Sequence, residues 1–228
     1  MGKIEVGAKN FMYPTPTTLV GANVAGKPNY ITIAHVGILQ YITISVSMHK
    51  GHYTNGGVKE NGTFSVNIPS TKMVKVTDYC GMVSGKEIDK AALFTNFYGK
   101  LKTAPMIEEC PANMECRLIQ TVELPTHEIF IGEIVATYCD EAYLTQGKNI
   151  DLAKLDPILF SMSGARYFRL GPEFARAWQV GRELVKQKGG GFFPPLLWLR
   201  IERKETKNDP FGRGLIGTET GKRKGAGG

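Results

Sequence analysis

Hydrophobic and polar residues alternate in two segments near the start of the chain. They are Asn29-Tyr30-Ile31-Thr32-Ile33-Ala34-His35 and Tyr41-Ile42-Thr43-Ile44-Ser45-Val46-Ser47-Met48. In the second, Ile42, Ile44 and Val46 fall on one face, and Thr43, Ser45 and Ser47 on the other. A period of two predicts half-buried strands. The second strand runs into His49-Lys50-Gly51-His52-Tyr53-Thr54-Asn55-Gly56-Gly57, a polar loop at the mouth of a sheet. A row of hydroxyls leading to Lys50 and Thr54 suits a phosphate-bearing cofactor. A sheet with one wet face and a polar loop explains the same residues without a ligand.

The rest of the chain repeats the short-strand pattern. Phe11 to Val20, with Pro14 and Pro16, reads as an extended lead-in to a first strand, and Gly21 to Pro28 as a turn-rich hairpin connection. Val58 to Asn61 predicts a short helix closed by Gly62, and Thr63 to Ile68 a third alternating strand. Ser70-Thr71 is placed to cap a helix through Met73, Val74, Val76 and Tyr79. Glu115 to Leu124 and His127 to Thr137 predict a hairpin turning at Pro125-Thr126. Pro157 to Phe160 predicts a further short strand. Pro172 suits the first turn of a helix carrying Phe174, Ala177, Trp178, Gly181, Leu184 and Val185 as an apolar stripe. Short strands at hairpin spacing, without βαβ alternation, predict a mainly β chain built as an antiparallel barrel with a few peripheral helices. Neither glycine-rich nucleotide fingerprint is present.

Composition narrows the classes. The 42% apolar and 10% aromatic content of 228 residues supports a sizeable core and excludes wholesale disorder. No secretory h-region and no apolar run of transmembrane length is seen, so a cytoplasmic protein without a membrane span is expected. Cys80, Cys110, Cys116 and Cys139 match no zinc spacing and are expected as free thiols. The net charge of +7 sits mostly in the tail: from Lys186 onward there are ten Lys or Arg against four Asp or Glu. A nucleic-acid surface is therefore not expected on the folded body. A domain over residues 1–187 and a Gly-rich basic tail over 188–228 are expected, with Phe192 to Leu199 an apolar stretch inside the tail. His35, His49, His52 and His127 include no H-E-x-x-H, and no G-x-S-x-G is present, which argues against zinc peptidase and hydrolase chemistry.

Several ordered motifs carry a family resemblance. They are Pro16-Thr17-Thr18-Leu19-Val20, Asn29-Tyr30-Ile31-Thr32-Ile33-Ala34, His52-Tyr53-Thr54 and Gly62-Thr63-Phe64-Ser65-Val66-Asn67-Ile68-Pro69. Asp78-Tyr79-Cys80-Gly81-Met82-Val83-Ser84-Gly85 with Asp89-Lys90, and His127-Glu128-Ile129-Phe130-Ile131-Gly132-Glu133, complete the set. Over roughly residues 10–185 the chain resembles the flavin reductase-like, FMN-binding split-barrel family, and within it the flavoredoxin branch. The resemblance implies a split β-barrel, usually a homodimer, holding FMN noncovalently near the subunit interface. It implies flavin positions at Asn29, Thr32, Thr54, Lys90, His127 and Phe160, and Ala34, His35, Ser47, Lys50 and Ser84 are expected beside them as cofactor-binding residues. It also implies electron carriage with a redox protein partner, or reduction by NAD(P)H as in flavin reductases; a flavin-binding module without turnover is the third reading. The branch often carries Trp where His35 stands, so a smaller, titratable ring replaces a large stacking surface. Lys50 or Lys90, with the Thr54 hydroxyl, suits the phosphate. His127 or Lys90 near the pyrimidine end would stabilise reduced flavin, and Phe160 would cover the ring.

Overall fold

The computed structural model describes residues 2–188, with side chains to Val185; the expected tail lies outside the described residues. The strands, in chain order, are β1 (Thr15–Pro16), β2 (Thr18–Val24), β3 (Lys27–Ile33), β4 (Val36–Gln40), β5 (Thr43–His49) and β6 (Thr63–Ile68). They continue with β7 (Asn96–Phe97), β8 (Met106–Ile107), β9 (Ala112–Glu123), β10 (His127–Cys139), β11 (Leu159–Ser161) and β12 (Arg166–Phe168). The helices are α1 (Thr54–Asn61), α2 (Val74–Met82), α3 (Leu152–Leu155) and α4 (Arg182–Lys188). The mainly β, antiparallel architecture expected from the strand spacing is what forms.

Seven strands make the main sheet in the order β3-β2-β6-β9-β10-β5-β4, each neighbouring pair antiparallel. β3 and β4 lie at opposite ends of that order, yet only Ala34 and His35 separate them. The sheet must therefore curl until its two ends meet. No ladder joins β3 to β4, so the barrel stays split. The seam runs beside His35, whose carbonyl accepts the Ser47 N–H at 2.9 Å.

The inward faces build the core. Val20, Ala22, Ile31, Ile33, Ile44, Val46, Met48, Val58, Phe64, Val66, Cys116 and Phe130 form one buried cluster. A smaller one, with Leu19, Tyr30, Cys80, Phe94 and Ile107, packs behind α2. Gly132 is required in β10, because a Cβ there would stand 2.5 Å from the Phe64 ring. Burial on this scale is the main driving force for the fold.

Local expectations differ from the structure in four places. The first strand runs on to Val24, and the hairpin turn shrinks to Ala25-Gly26, both with positive φ. Tyr41 and Ile42 form the turn into β5, leaving Ile42 exposed. α1 begins at Thr54, not at Val58, so Asn55-Gly56-Gly57 is helix and not turn. Gly57 allows this: a Cβ would meet the Asn23 carbonyl oxygen at 2.2 Å, so only glycine lets α1 lie on β2. The Ser70 side chain makes no cap; a 3₁₀ turn over Thr71–Met73 leads into α2.

The chain divides after Pro172, with Glu173 starting a second unit. The helix expected from Pro172 does not form there. Residues 172–177 have no regular structure, Trp178 takes φ +58°, and α4 starts only at Arg182. A Gly181 interruption and a segment of marginal helical length explain the loss.

Candidate functional site

Three short sequence segments meet at the seam of the barrel. β3 delivers Thr32 and Ile33, and the link to β4 delivers Ala34 and His35; β5 delivers Ser47 and His49; His127 opens β10. The antiparallel register sets His127 directly opposite His49. α2 adds Asp78, Gly81 and Met82, and the β11–β12 hairpin adds Phe160, Met162 and Tyr167. Together with Thr17 and His52 they line a cavity of about 340 Å³. Gly81 keeps α2 close, since a Cβ would sit 3.2 Å from Thr32 Cβ.

All four histidines of the chain line this cavity. Ring centroids are 5.5 Å apart for His49–His127, 5.8 Å for His49–His52 and 6.4 Å for His35–His127. His49 Nδ1 accepts the Gly51 N–H at 3.1 Å, so its neutral ring carries the proton on Nε2. The Thr126 hydroxyl and His127 Nδ1 share a 2.8 Å bond. Burial pushes the His52 pKa down, and the neighbouring His49, His127 and Lys90 push it further. Among the described residues no three His, Cys, Asp or Glu side chains are arranged to hold a metal ion.

The expected positions separate into two groups. Thr32, Ala34, His35, Ser47, His127 and Phe160 come together on the cavity wall. Asn29, Lys50, Thr54, Ser84 and Lys90 do not line it. Asn29 Nδ2 donates to Thr54 Oγ1 at 2.7 Å, with both residues buried. Lys90 is only 2% exposed, and its Nζ donates to the carbonyls of Cys80 and Val83 at 3.0 and 3.1 Å. It holds the end of α2, and burial lowers its pKa. Lys50 pairs with Glu123 at 3.3 Å on the exposed rim. Ser84 Oγ accepts the Lys86 N–H at 3.2 Å in the loop after α2. The Thr32 hydroxyl donates to the Thr77 carbonyl, tying α2 to β3.

Thr17, Asp78, Met82, Met162 and Tyr167 were not among the expected positions. The Tyr167 hydroxyl donates to Asp78 Oδ1 at 2.7 Å, which joins the β11–β12 hairpin to α2 across the cavity. Thr17 and Asp78 lie inside motifs that carry the resemblance, and that was the available signal. Nothing local marks Met162 or Tyr167.

The wall suits a flat, polar-edged ligand. Ile33, Met82, Phe160 and Met162 offer apolar faces, Ser47 offers a hydroxyl, and the imidazoles offer ring donors. Two buried atoms on the wall, Thr17 Oγ1 and His52 Nδ1, have no hydrogen-bond partner among the described residues. Buried polar atoms are normally paired, so these two fit a ligand that supplies the missing bonds.

The flavin reductase like domain family matches residues 10–166. The chain belongs to this flavin reductase-like family. Flavoredoxin from Methanosarcina acetivorans is 47% identical, with a TM-score of 0.78, over 81% of this chain and 100% of that one. Flavoredoxin of Desulfovibrio vulgaris (Miyazaki F) is 35% identical, with a TM-score of 0.74, over 79% and 100%. An uncharacterized protein of Archaeoglobus fulgidus is 33% identical over 143 residues, which is 60% of this chain and 80% of that one. A flavin-linked redox protein with a split-barrel fold is thus the family-level description. No helix among the described residues is long and apolar enough to cross a membrane.

Proposed function

We propose that this chain binds FMN noncovalently in the seam cavity and carries electrons through it, as a homodimer of flavoredoxin type. The observation that carries the reading is convergence. Six positions expected for flavin, scattered from Thr32 to Phe160, line one cavity that retains two unpartnered buried polar atoms. Flavin, when bound, supplies the electron-accepting ring. The protein's part is to bind, orient and shield it. Phe160 and Tyr167, with ring centroids 5.8 Å apart, form an aromatic wall on one side. Ser47 and the imidazoles would meet polar edges. Asn29, Thr54 and Lys90 would act from behind the wall by fixing α1 and α2. The donor is a redox protein partner in this reading, with NAD(P)H as the alternative. Four free cysteines fit a reducing compartment, and a cytoplasmic setting belongs to the same reading.

An absorbance spectrum of the purified protein, with and without added FMN, tests the cofactor. Two flavin bands and release of FMN on denaturation are expected; a protein that stays colourless with FMN overturns the reading. Anaerobic addition of NADH or NADPH then separates the two donors. Slow or absent bleaching is expected of the carrier, and rapid bleaching selects the reductase.

A further inference from the structure

The four-histidine wall has a property that flavin binding alone does not require. We infer that His52 Nδ1 takes up a proton when a phosphate monoester enters the cavity, so that binding is proton-linked. This rests on the flavin reading of the cavity only for the identity of the ligand.

The geometry carries the argument. His52 lies on the cavity wall, and its buried Nδ1 has no partner among the described residues. As a bare nitrogen it accepts nothing from the described residues; once protonated, the His52 ring carries a donor on each nitrogen at the edge of the site. His49 and His127 crowd it, and Lys90 adds positive charge nearby. In the empty cavity these neighbours and burial disfavour the imidazolium. Asp78 is the one carboxylate lining the cavity among the described residues, and its Oδ1 is held by Tyr167. The other charges close by are matched: Lys50 by Glu123, and Glu128 by Lys59 and Asn55. No carboxylate in the wall is therefore placed to stabilise a charged His52 from β5, α1 or β10. An incoming dianion supplies that missing charge and accepts the new N–H. The proton comes from solvent, and no bond of the ligand breaks.

Linkage fixes the sign. A bound state that holds more protons loses affinity as pH rises. Above about pH 7 the phosphate is already dianionic, with its second pKa near 6, so the trend there reports the histidine alone.

Calorimetry of FMN binding at pH 7.5, in buffers of different ionisation enthalpy, tests the inference with riboflavin and inorganic phosphate as separate arms. Uptake of about one proton per FMN is expected, with a Kd that weakens up to about tenfold per pH unit above pH 7. Riboflavin should bind without uptake. The conservative His52→Gln variant should weaken FMN binding at pH 7, abolish the uptake and flatten the pH slope. If that variant fails to fold, the His52 imidazole ¹⁵N shifts of the wild-type protein report the same proton on titration with FMN. FMN bound without uptake, or equal uptake with riboflavin, overturns the inference and leaves the flavin reading standing. If FMN does not bind, the flavin reading falls and inorganic phosphate decides. Phosphate bound with uptake supports the proton-linked site, and no binding or no uptake overturns it.

Discussion

Two sets of buried polar groups in the barrel are built in opposite ways. Around β6 and β9 the buried polar groups have many partners. Asn67 Nδ2 donates to the Leu19 carbonyl and to Ser65 Oγ, while its Oδ1 accepts from Ile107 N–H and Asn113 Nδ2. Glu115, fully buried, accepts from Lys100 N–H, Leu101 N–H and the Tyr138 hydroxyl. At the seam, Thr17 Oγ1 and His52 Nδ1 accept and donate nothing within the described residues. A satisfied buried group has its desolvation cost offset at folding and then fixes the backbone around it. An unsatisfied one lowers stability and gains its partner only from a ligand. In the function proposed above, the contrast divides residues that hold the barrel from residues kept for binding.

The largest expected effect comes from breaking the satisfied side. Glu115→Ala strands three part-buried donors at once. Leaving such donors without their acceptor costs up to about 3 kcal/mol. Urea unfolding should show the midpoint fall accordingly, while the fraction that remains folded keeps its FMN affinity. Unchanged stability would mean that the network is not what holds β9 to the loop at Lys100 and Leu101.

A smaller effect sharpens the comparison, because it lies where the two sets meet. Asn55 Nδ2 donates to the His49 carbonyl at 3.0 Å and to Glu128 Oε2 at 2.8 Å, and Lys59 Nζ reaches Glu128 Oε1 at 2.8 Å. Glu128 thus fixes the turn that presents His49 and His52. Burial works to raise the Glu128 pKa, but the bonds from Lys59 and Asn55 outweigh it and hold the pKa below the usual carboxylate value. A carboxylate depressed on folding gives stability that is present above its unfolded pKa, about 4.3, and lost as pH falls through the folded value. Glu128→Gln should cost about 1–2 kcal/mol at pH 7, discounted because Lys59 is half-exposed. It should also flatten the acid limb of stability below about pH 4.5. Thermal unfolding between pH 3 and pH 7 measures both.

The sequence made these two sides unequally legible. The long hairpin of β9 and β10 was plain, because alternation is written into Cys116, Leu118, Val122 and Ile129, Ile131. The start of α1 was hidden: Asn55-Gly56-Gly57 has turn chemistry, and only Glu128 and the approach to Asn23 make it helical. A buried lysine leaves no local mark in sequence, and the two carbonyl partners of Lys90 come from the end of α2. The histidine wall was half visible. His49 and His52 are close in sequence, but His127 joins them through strand register, and His35 through the curl that brings β3 and β4 together.

The smallest expected effect is also the sharpest test, because its sign reverses between the two sets. Thr17 is 1% exposed, its N–H donates to the Ile158 carbonyl at 2.9 Å, and its hydroxyl is unpartnered among the described residues on the cavity wall. Thr17→Val keeps the shape and the backbone bond and removes only that oxygen. Replacing an orphaned buried hydroxyl with a methyl group should raise the stability of the FMN-free protein by up to about 1 kcal/mol. On the satisfied side no such deletion is expected to stabilise anything. If the hydroxyl is kept for the ligand, the same variant weakens FMN by about two- to tenfold, the value of one hydrogen bond of about 0.5–1.5 kcal/mol. Stability and affinity should therefore move in opposite directions, read by urea unfolding without FMN and by flavin fluorescence titration. A variant that lost both would place Thr17 with Glu115 and Asn67 among the residues that hold the barrel, and the division drawn here would fail at its clearest point.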